Sequence, residues 1–358
     1  MDGAVGRWTN EGIKVRDAVT CMVCGHRGKV LYSNVRDRLF DVPGVWDIRH
    51  CERCGLYWLD PRPLDSEVPK LYGTYYTHDA VDGDGLDIKP ARSSDPLLRK
   101  IRLLIRDGYI GGHYTDRCRG WNLSNIAGLL AYLSPRRRAA VDRLFFFLPP
   151  RRAGRLLEVG FGAGHALRAL QELGWRVEGI EVDPVAVERA AARGLNVRLG
   201  RLEEASYPEA TFDAIVTSHV VEHLTDPLSF LTEARRILKP GGALVSVTPN
   251  PSSLAHRVFG QSWLHLDPPR HLYLFPVSVL RALVPQAGFT EVHARTITGG
   301  AVETLARSQV IRETGKSALD SDPSSLRPWW ARAWAIVEEL FVRVGGDVGE
   351  EIVLIARR

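Results

Sequence analysis

Several absences constrain this 358-residue sequence before any motif is considered. No apolar run reaches the roughly 18 residues that a bilayer-spanning helix needs. The first twenty residues lack the basic, apolar, small-residue order of a signal peptide, so the expectation is a cytoplasmic protein. Internal repeats and low-complexity tracts are missing too, which excludes solenoid and linker-like architectures. Cysteine is scarce. A disulfide framework built from the five thiols would leave one over, whereas four of them fall in two CxxC pairs, a pattern better suited to metal binding in a reducing compartment.

What is present is apolar enough for a sizeable core. With 45% hydrophobic residues the chain can bury one full α/β core, with about a hundred residues left for accessory structure. The formal charge is +5 but unevenly spread. Between Pro96 and Arg152 twelve Lys or Arg stand against three acids (Asp107, Asp116, Asp142), so that segment carries +9 and the rest is net acidic. A charge run is usually a solvated face. Here RRR at 136–138 beside LFFFL at 144–148 would equally suit an anionic substrate or a peripheral membrane contact through residues 96–152.

Residues 1–70 are rich in turn formers, hold both CxxC pairs and end in LDPRPLD at 59–65, which predicts a compact ribbon. Residues 71–150 place Leu97, Ile101, Leu104 and Ile105 at helical spacing, broken by Gly108, Gly111 and Gly112, and predict a basic helical lid or linker. Residues 151–358 predict an α/β core. Strand-like runs occur at 156–159, 177–180, 196–199, 212–218 and 243–248, separated by helices. Two helices open on Asp183-Pro184 and Asp226-Pro227, where the carboxylate can cap free N–H groups and proline needs none. They close at Gly194 and at Lys239-Pro240-Gly241-Gly242. Such alternation means a parallel sheet with right-handed crossovers. Further on, 290–298 reads as a strand, about 300–348 as a helical insertion with a tryptophan-rich amphipathic helix at 326–344, and EIVLIA at 351–356 as a last strand.

LLEVGFGAGHAL at 156–167 sets Gly160, Gly162 and Gly164 between a strand and a helix. A tight reversal that lets a ligand approach bare backbone needs residues without Cβ. A dinucleotide fingerprint would need Gly or Ala at 165, where His165 stands, so NAD fits poorly. Glu158 precedes the first glycine by two residues, and Glu181 ends the next strand, where a carboxylate can accept from both hydroxyls of a ribose.

The cysteine pairs Cys21-x-x-Cys24 and Cys51-x-x-Cys54 offer four soft thiolates, each pair followed by a glycine (Gly25, Gly55) as a metal-binding turn prefers. They predict a zinc-ribbon-like module with a structural zinc, since four cysteines leave no coordination position open. Cys118 has no partner and carries no predicted role.

With these motifs in place, residues 155–250 resemble class I S-adenosylmethionine-dependent methyltransferases, the group that includes the ubiquinone-biosynthesis O-methyltransferases. The resemblance rests on EVGFGAG at 158–164, GIEVDP at 179–184, FDAIVTSHVVEHLTDP at 212–227 and LKPGGALVSVTPN at 238–250. It implies an α/β Rossmann-like core with a mostly parallel seven-stranded sheet. It also implies that Glu158, Gly160, Phe161, Gly162 and Gly164 hold the methionine end of the cofactor and Glu181 the ribose. Val182 and Asp183 would lie near the adenosine, Leu202 and Glu203 near the adenine, with Ser218 and His219 completing the contacts. One departure is Arg201, which stands where the family usually shows an acid. The N-terminal segment resembles the zinc-binding module that precedes many bacterial methyltransferases of this type, through RHCERCGLYWLDPRP at 49–63 and LYGTYY at 71–76.

A sulfonium methyl is already electrophilic, so the protein must align a nucleophile and, for a hydroxyl, remove a proton. His219, His223 and His271 follow strands where ligands bind in open α/β sheets. His271 ranks first, because 263–275 resembles the substrate-side loop of the group; His265 is weaker, and His223 also suits anchoring its helix through Glu222. Each of these histidines has an equally good structural explanation as a hydrogen-bonded side chain. The leading expectation is O-methylation of a small-molecule, sugar or glycan, lipid-linked or quinone-like acceptor. The first alternative is an RNA methyltransferase with a zinc-ribbon reader, against which residues 1–70 hold eleven basic and ten acidic side chains, nearly neutral for a nucleic-acid surface. The second is a cofactor-binding regulator without catalysis.

Overall fold

The structure, a computed structural model, describes residues 7–73, 96–114, 127–133, 135–148, 154–317 and 328–358. Cys118 and the arginines at 117, 119, 151 and 152 lie outside the described residues, as does part of the insertion, 318–327. The strands are β1 (Arg7–Asn10), β2 (Ile13–Arg16), β3 (Lys29–Val35), β4 (Trp46–His50), β5 (Tyr57–Asp60), β6 (Arg62–Pro63), β7 (Arg155–Val159), β8 (Arg176–Glu181), β9 (Val197–Leu199), β10 (Phe212–Ser218), β11 (Leu238–Pro249), β12 (Tyr273–Leu274), β13 (Thr290–Ile297) and β14 (Glu351–Arg357).

Seven of them form one sheet in the order β13-β14-β11-β10-β7-β8-β9. β10, β7, β8 and β9 pair in parallel, and β13 runs antiparallel to β14. This is the mostly parallel Rossmann-like sheet expected. The chain steps from β7 to β8 and β9 on one side, then to β10 on the other. The C-terminal end of β7 therefore sits at the switch point, where α/β sheets leave a crevice for ligands. Asp183 accepts the Val185 N–H at 2.9 Å and Asp226 the Ser229 N–H at 3.0 Å, so both predicted caps form. The KPGG stop ends the helix Pro227–Ile237, but it opens β11 directly instead of preceding it as a loop. The main chain of Gly241 and Gly242 exchanges hydrogen bonds with Arg358, which keeps the glycines in ladder geometry.

By its contacts the chain forms two compact units, one of residues 1–78, 219–235 and 246–357, the other of 79–218, 236–245 and 358. In the second, Phe145, Phe146 and Leu148 of the LFFFL run are buried. Tyr109 and Tyr114 both donate to Asp142, at 2.7 and 2.8 Å, which ties the helix Pro96–Tyr114 to Pro135–Leu144.

In the first unit, the cysteine-bearing sheet has the order β12-β5-β4-β3, so a strand at 273–274 completes a sheet begun at residue 29. The predicted tryptophan-rich helix is Trp329–Arg343, with an unexpected polarity. Ala331, Ala335 and Glu338 face inward, whereas Trp334, Ile336, Leu340 and Phe341 face out. Close approach on that side admits only small side chains, and Glu338 is retained there because it accepts the Glu350 N–H at 2.9 Å. No described helix is long and apolar enough to cross a membrane.

Candidate functional site

The glycine loop lies in the second unit, between β7 and the helix His165–Glu172. Gly160, Gly162 and Gly164 all take positive φ (72°, 52° and 77°), the left-handed backbone that only glycine adopts cheaply. Glu181, at the end of β8, accepts the N–H groups of Gly162 at 3.0 Å, Val182 at 2.8 Å and Asp183 at 3.3 Å. Burial raises its carboxyl pKa, against the pull of these three donors. Glu158 is fully buried and its Oε2 has no hydrogen-bond partner. Burial, and then the charge of Glu181, push its carboxyl well above the ordinary carboxylate range. An orphaned buried carboxylate oxygen beside bare backbone suits a cationic ligand with N–H donors.

The other predicted cofactor residues are placed as follows. Phe161 is buried, its ring filling the space that a side chain at Gly179 would need, so it supports the loop from beneath. Val182 is exposed, Ser218 ends β10 half-buried, Leu202 is buried and Glu203 is exposed. Arg201 precedes the short turn Leu202–Glu204 without capping it. Gly179 had no separate signal in the sequence; its role appears only because β8 runs beneath the loop.

The histidines lie in the first unit. His219 has φ +54°, and its N–H donates to Val247 O at 2.8 Å. Its Nδ1 is 3.2 Å from Glu222 Oε1 and its Nε2 3.0 Å from Glu351 Oε1. Burial alone would lower its pKa, but the two carboxylates outweigh that and raise it to about 9. His219 is therefore protonated at neutral pH. His223 goes the other way, down to about 4, through burial and its neighbour His271; burial and the His219 charge take His265 to about 3. The ring of His223 lies edge-on to His271 at 4.6 Å. His271 is buried, with Nδ1 2.7 Å from His265 O, and His223 Nδ1 is 3.0 Å from both Arg270 O and Tyr72 Oη.

This loop is held by a buried charge network. The Arg270 guanidinium donates to Asp37 at 2.7 and 2.8 Å and to Asp267 at 3.1 Å. Leu272 N–H donates to Glu222 O at 2.9 Å, and Leu272 O accepts Leu59 N–H at 3.1 Å. The structure thus brings His219, His223, His265 and His271 together with Glu222 and Glu351. Glu351, 132 residues after His219, was invisible as a partner because it opens an apolar strand like any solvent-facing end residue.

The four cysteines also meet. Cys21 and Cys54 sulfurs are 3.5 Å apart, as are those of Cys24 and Cys51. Each pair forms the same turn. Gly25 N–H donates to Cys21 O at 2.9 Å and Gly55 N–H to Cys51 O at 2.8 Å, with φ of +68° and +87° at the two glycines. Cys21 sulfur accepts N–H bonds from Val23 and Cys24, and Cys51 sulfur from Arg53 and Cys54, donors that stabilise thiolate. Tetrahedral zinc with bonds of about 2.3 Å needs sulfurs roughly 3.8 Å apart, close to what is observed.

Residues 132–294 match the family described as a methyltransferase domain. This segment is similar to S-adenosylmethionine-dependent methyltransferases. It is 34% identical over 143 residues to a ubiquinone biosynthesis O-methyltransferase of Cereibacter sphaeroides, covering 38% of this chain and 58% of that protein. It is 32% identical over 160 residues to the malonyl-[acyl-carrier protein] O-methyltransferase of Serratia marcescens, covering 43% and 61%. The chain thus spans less than two thirds of the length of either relative. A SAM-dependent methyltransferase structure from Archaeoglobus fulgidus aligns with a TM-score of 0.44 at 21% identity, over 65% of this chain and 99% of that one.

Proposed function

We propose that this protein transfers the methyl group of S-adenosylmethionine to an oxygen of a small acceptor: a sugar or glycan, a lipid-linked molecule or a quinone-like compound. The observation that carries the cofactor assignment is Glu158, a buried carboxylate with an unpartnered oxygen beside a loop whose three glycines leave the backbone bare. The ligand supplies the electrophilic methyl group. Glu158 and the loop would hold its cationic methionine end, and Glu181 its ribose. The two O-methyltransferase relatives support an oxygen acceptor.

Among the histidines, His219 is protonated at neutral pH with both ring nitrogens facing carboxylates, so it does not suit accepting a proton. His223 and His271 both turn Nδ1 to a backbone carbonyl, which only accepts hydrogen bonds and so holds a proton there, leaving Nε2 as the nitrogen that would exchange a proton. They are the candidates for taking the acceptor's proton. The cysteine tetrad would hold a structural zinc, and its nearly neutral module favours a small acceptor over RNA. Exposed Ile101 and Leu104, on the basic helix Pro96–Tyr114, keep a peripheral membrane contact within this reading, in a cytoplasmic protein.

The test is incubation with isotopically labelled cofactor and extracts separated into RNA, lipid, glycan and small-molecule pools. Label should enter one of the last three. Label in RNA, or calorimetry showing no binding of the cofactor, would overturn the reading.

A further inference from the structure

We propose that Glu222, His223 and His271 form a second metal site, separate from the cysteine tetrad, for a divalent first-row transition ion. One donor atom from each of the three side chains lies within 4.8 Å of the other two. Three independent features make this a built site instead of a chance cluster.

The first is the tautomer of both histidines. His271 Nδ1 faces His265 O at 2.7 Å and His223 Nδ1 faces Arg270 O at 3.0 Å. Because a carbonyl can only accept, each Nδ1 carries a proton, and in the neutral tautomer the lone pair is on Nε2. A backbone carbonyl on the far nitrogen is how proteins usually orient a metal-binding imidazole. The second is Glu222, whose side chain is wholly buried. Its Oε2 accepts from Thr248 Oγ1 at 2.9 Å and its Oε1 pairs with His219 Nδ1 at 3.2 Å, so the carboxylate is oriented by its neighbours, as ligating carboxylates usually are. The third is rigidity. Arg270 is locked by Asp37 and Asp267, and Leu272 N–H is bonded to Glu222 O, so the histidine loop and the Glu222 turn are held together before any ion arrives.

Two imidazoles and one carboxylate suit zinc, iron, cobalt or nickel better than magnesium or calcium, which prefer all-oxygen shells. Three protein ligands also leave coordination positions open, as catalytic sites do and the cysteine tetrad does not. This deepens the methyltransferase reading and rests on it. Bound there, such an ion would supply Lewis acidity that lowers the pKa of a coordinated hydroxyl. The nitrogens assigned above to proton transfer would instead hold the ion that acidifies the hydroxyl.

The test is metal content and visible spectra of the full chain reconstituted with cobalt(II) alone, for the wild type, H223Q and H271Q, with far-UV circular dichroism as the fold control. Wild type should bind two ions per chain, one with thiolate charge-transfer bands and one with the weaker ligand-field bands of a nitrogen and oxygen site. Each variant should keep the thiolate signature and weaken cobalt at the second site by about 100-fold. A single ion in wild type, or two ions bound as tightly in either variant, overturns the proposal; a misfolded variant leaves the wild-type count to decide. S-adenosylmethionine binding by calorimetry is read separately. Cofactor binding with one ion sinks only the metal site, and two ions without cofactor binding sink only the methyltransferase reading.

Discussion

The backbone N–H of Gly162 donates to Glu181 Oε2 at 3.0 Å, so the middle of the glycine loop is tied to the end of the neighbouring strand. Glu181 therefore shapes the loop as well as facing the crevice. E181A should loosen the loop and remove the carboxylate proposed to accept from two ribose hydroxyls. With each charged hydrogen bond worth about 1.5–3 kcal/mol, cofactor affinity should fall at least 100-fold. Calorimetry with S-adenosylmethionine checks this, and an unchanged affinity in folded protein would remove Glu181 from the site.

Gly179 lies in the middle of β8 beneath that loop. A Cβ there would sit 2.6 Å from the Phe161 ring, 2.7 Å from Leu167 and 3.0 Å from Val197, all side chains packed against the strand. G179A should therefore overpack the floor of the loop and destabilise the protein by about 1–3 kcal/mol. Chemical denaturation measures it. G194A is the contrast, since nothing lies within 4 Å of its added Cβ and only the φ of +77° resists the substitution.

Glu158 gives a pH dependence whose sign is fixed by burial. Its folded pKa is raised above the unfolded value of 4.5, so its contribution to stability is complete below that value and is lost as pH rises through the folded pKa. Apo protein should lose melting temperature as pH rises above the unfolded value, where an unfolded carboxyl is ionised while the buried one resists ionisation. E158Q should flatten this slope and raise apo stability on its alkaline side while weakening cofactor binding. A variant with unchanged slope would show that the carboxyl ionises freely in the fold.

The parallel sheet, its two Asp-Pro helix starts and the glycine loop were legible because each is a local device: a residue type at a fixed spacing does the physical work. The cysteine tetrad was legible for the same reason, since each CxxCG turn builds half a site on its own. The histidine cluster was only half legible. His219, His223 and His271 stood out as residues after strands, but Glu351, Thr248 and Asp37, which completes the Arg270–Asp267 network, reach them from remote segments with no local signature. The inward alanines of Trp329–Arg343 were hidden too, because an amphipathic pattern does not say which face a crowded neighbour will accept.

The tetrad predicts a zinc-dependent fold for its surroundings. Cys21 and Cys51 are buried, and without a metal four thiols would have to share burial with too few donors. Purified protein should contain zinc that is lost on C51S substitution. The expected readout is loss of β3–β5 ladder protection in hydrogen exchange, since these strands join the two turns. Protection that persists in metal-free protein would make the tetrad dispensable for the fold.

Arg270 offers the sharpest separation of charge from packing. Its side chain is wholly buried, bonded to two carboxylates, and its guanidinium carbon lies 4.6 Å from the centre of the Phe40 ring. R270A strands Asp37 and Asp267 as unpaired buried charges and should cost about 3–5 kcal/mol. D37N combined with D267N in the R270M background removes all three charges while keeping similar volume, and should recover most of that loss. If the triple variant is no more stable than R270A, the network serves through the position of the Arg270 carbonyl beneath His223, and charge compensation is not its main work.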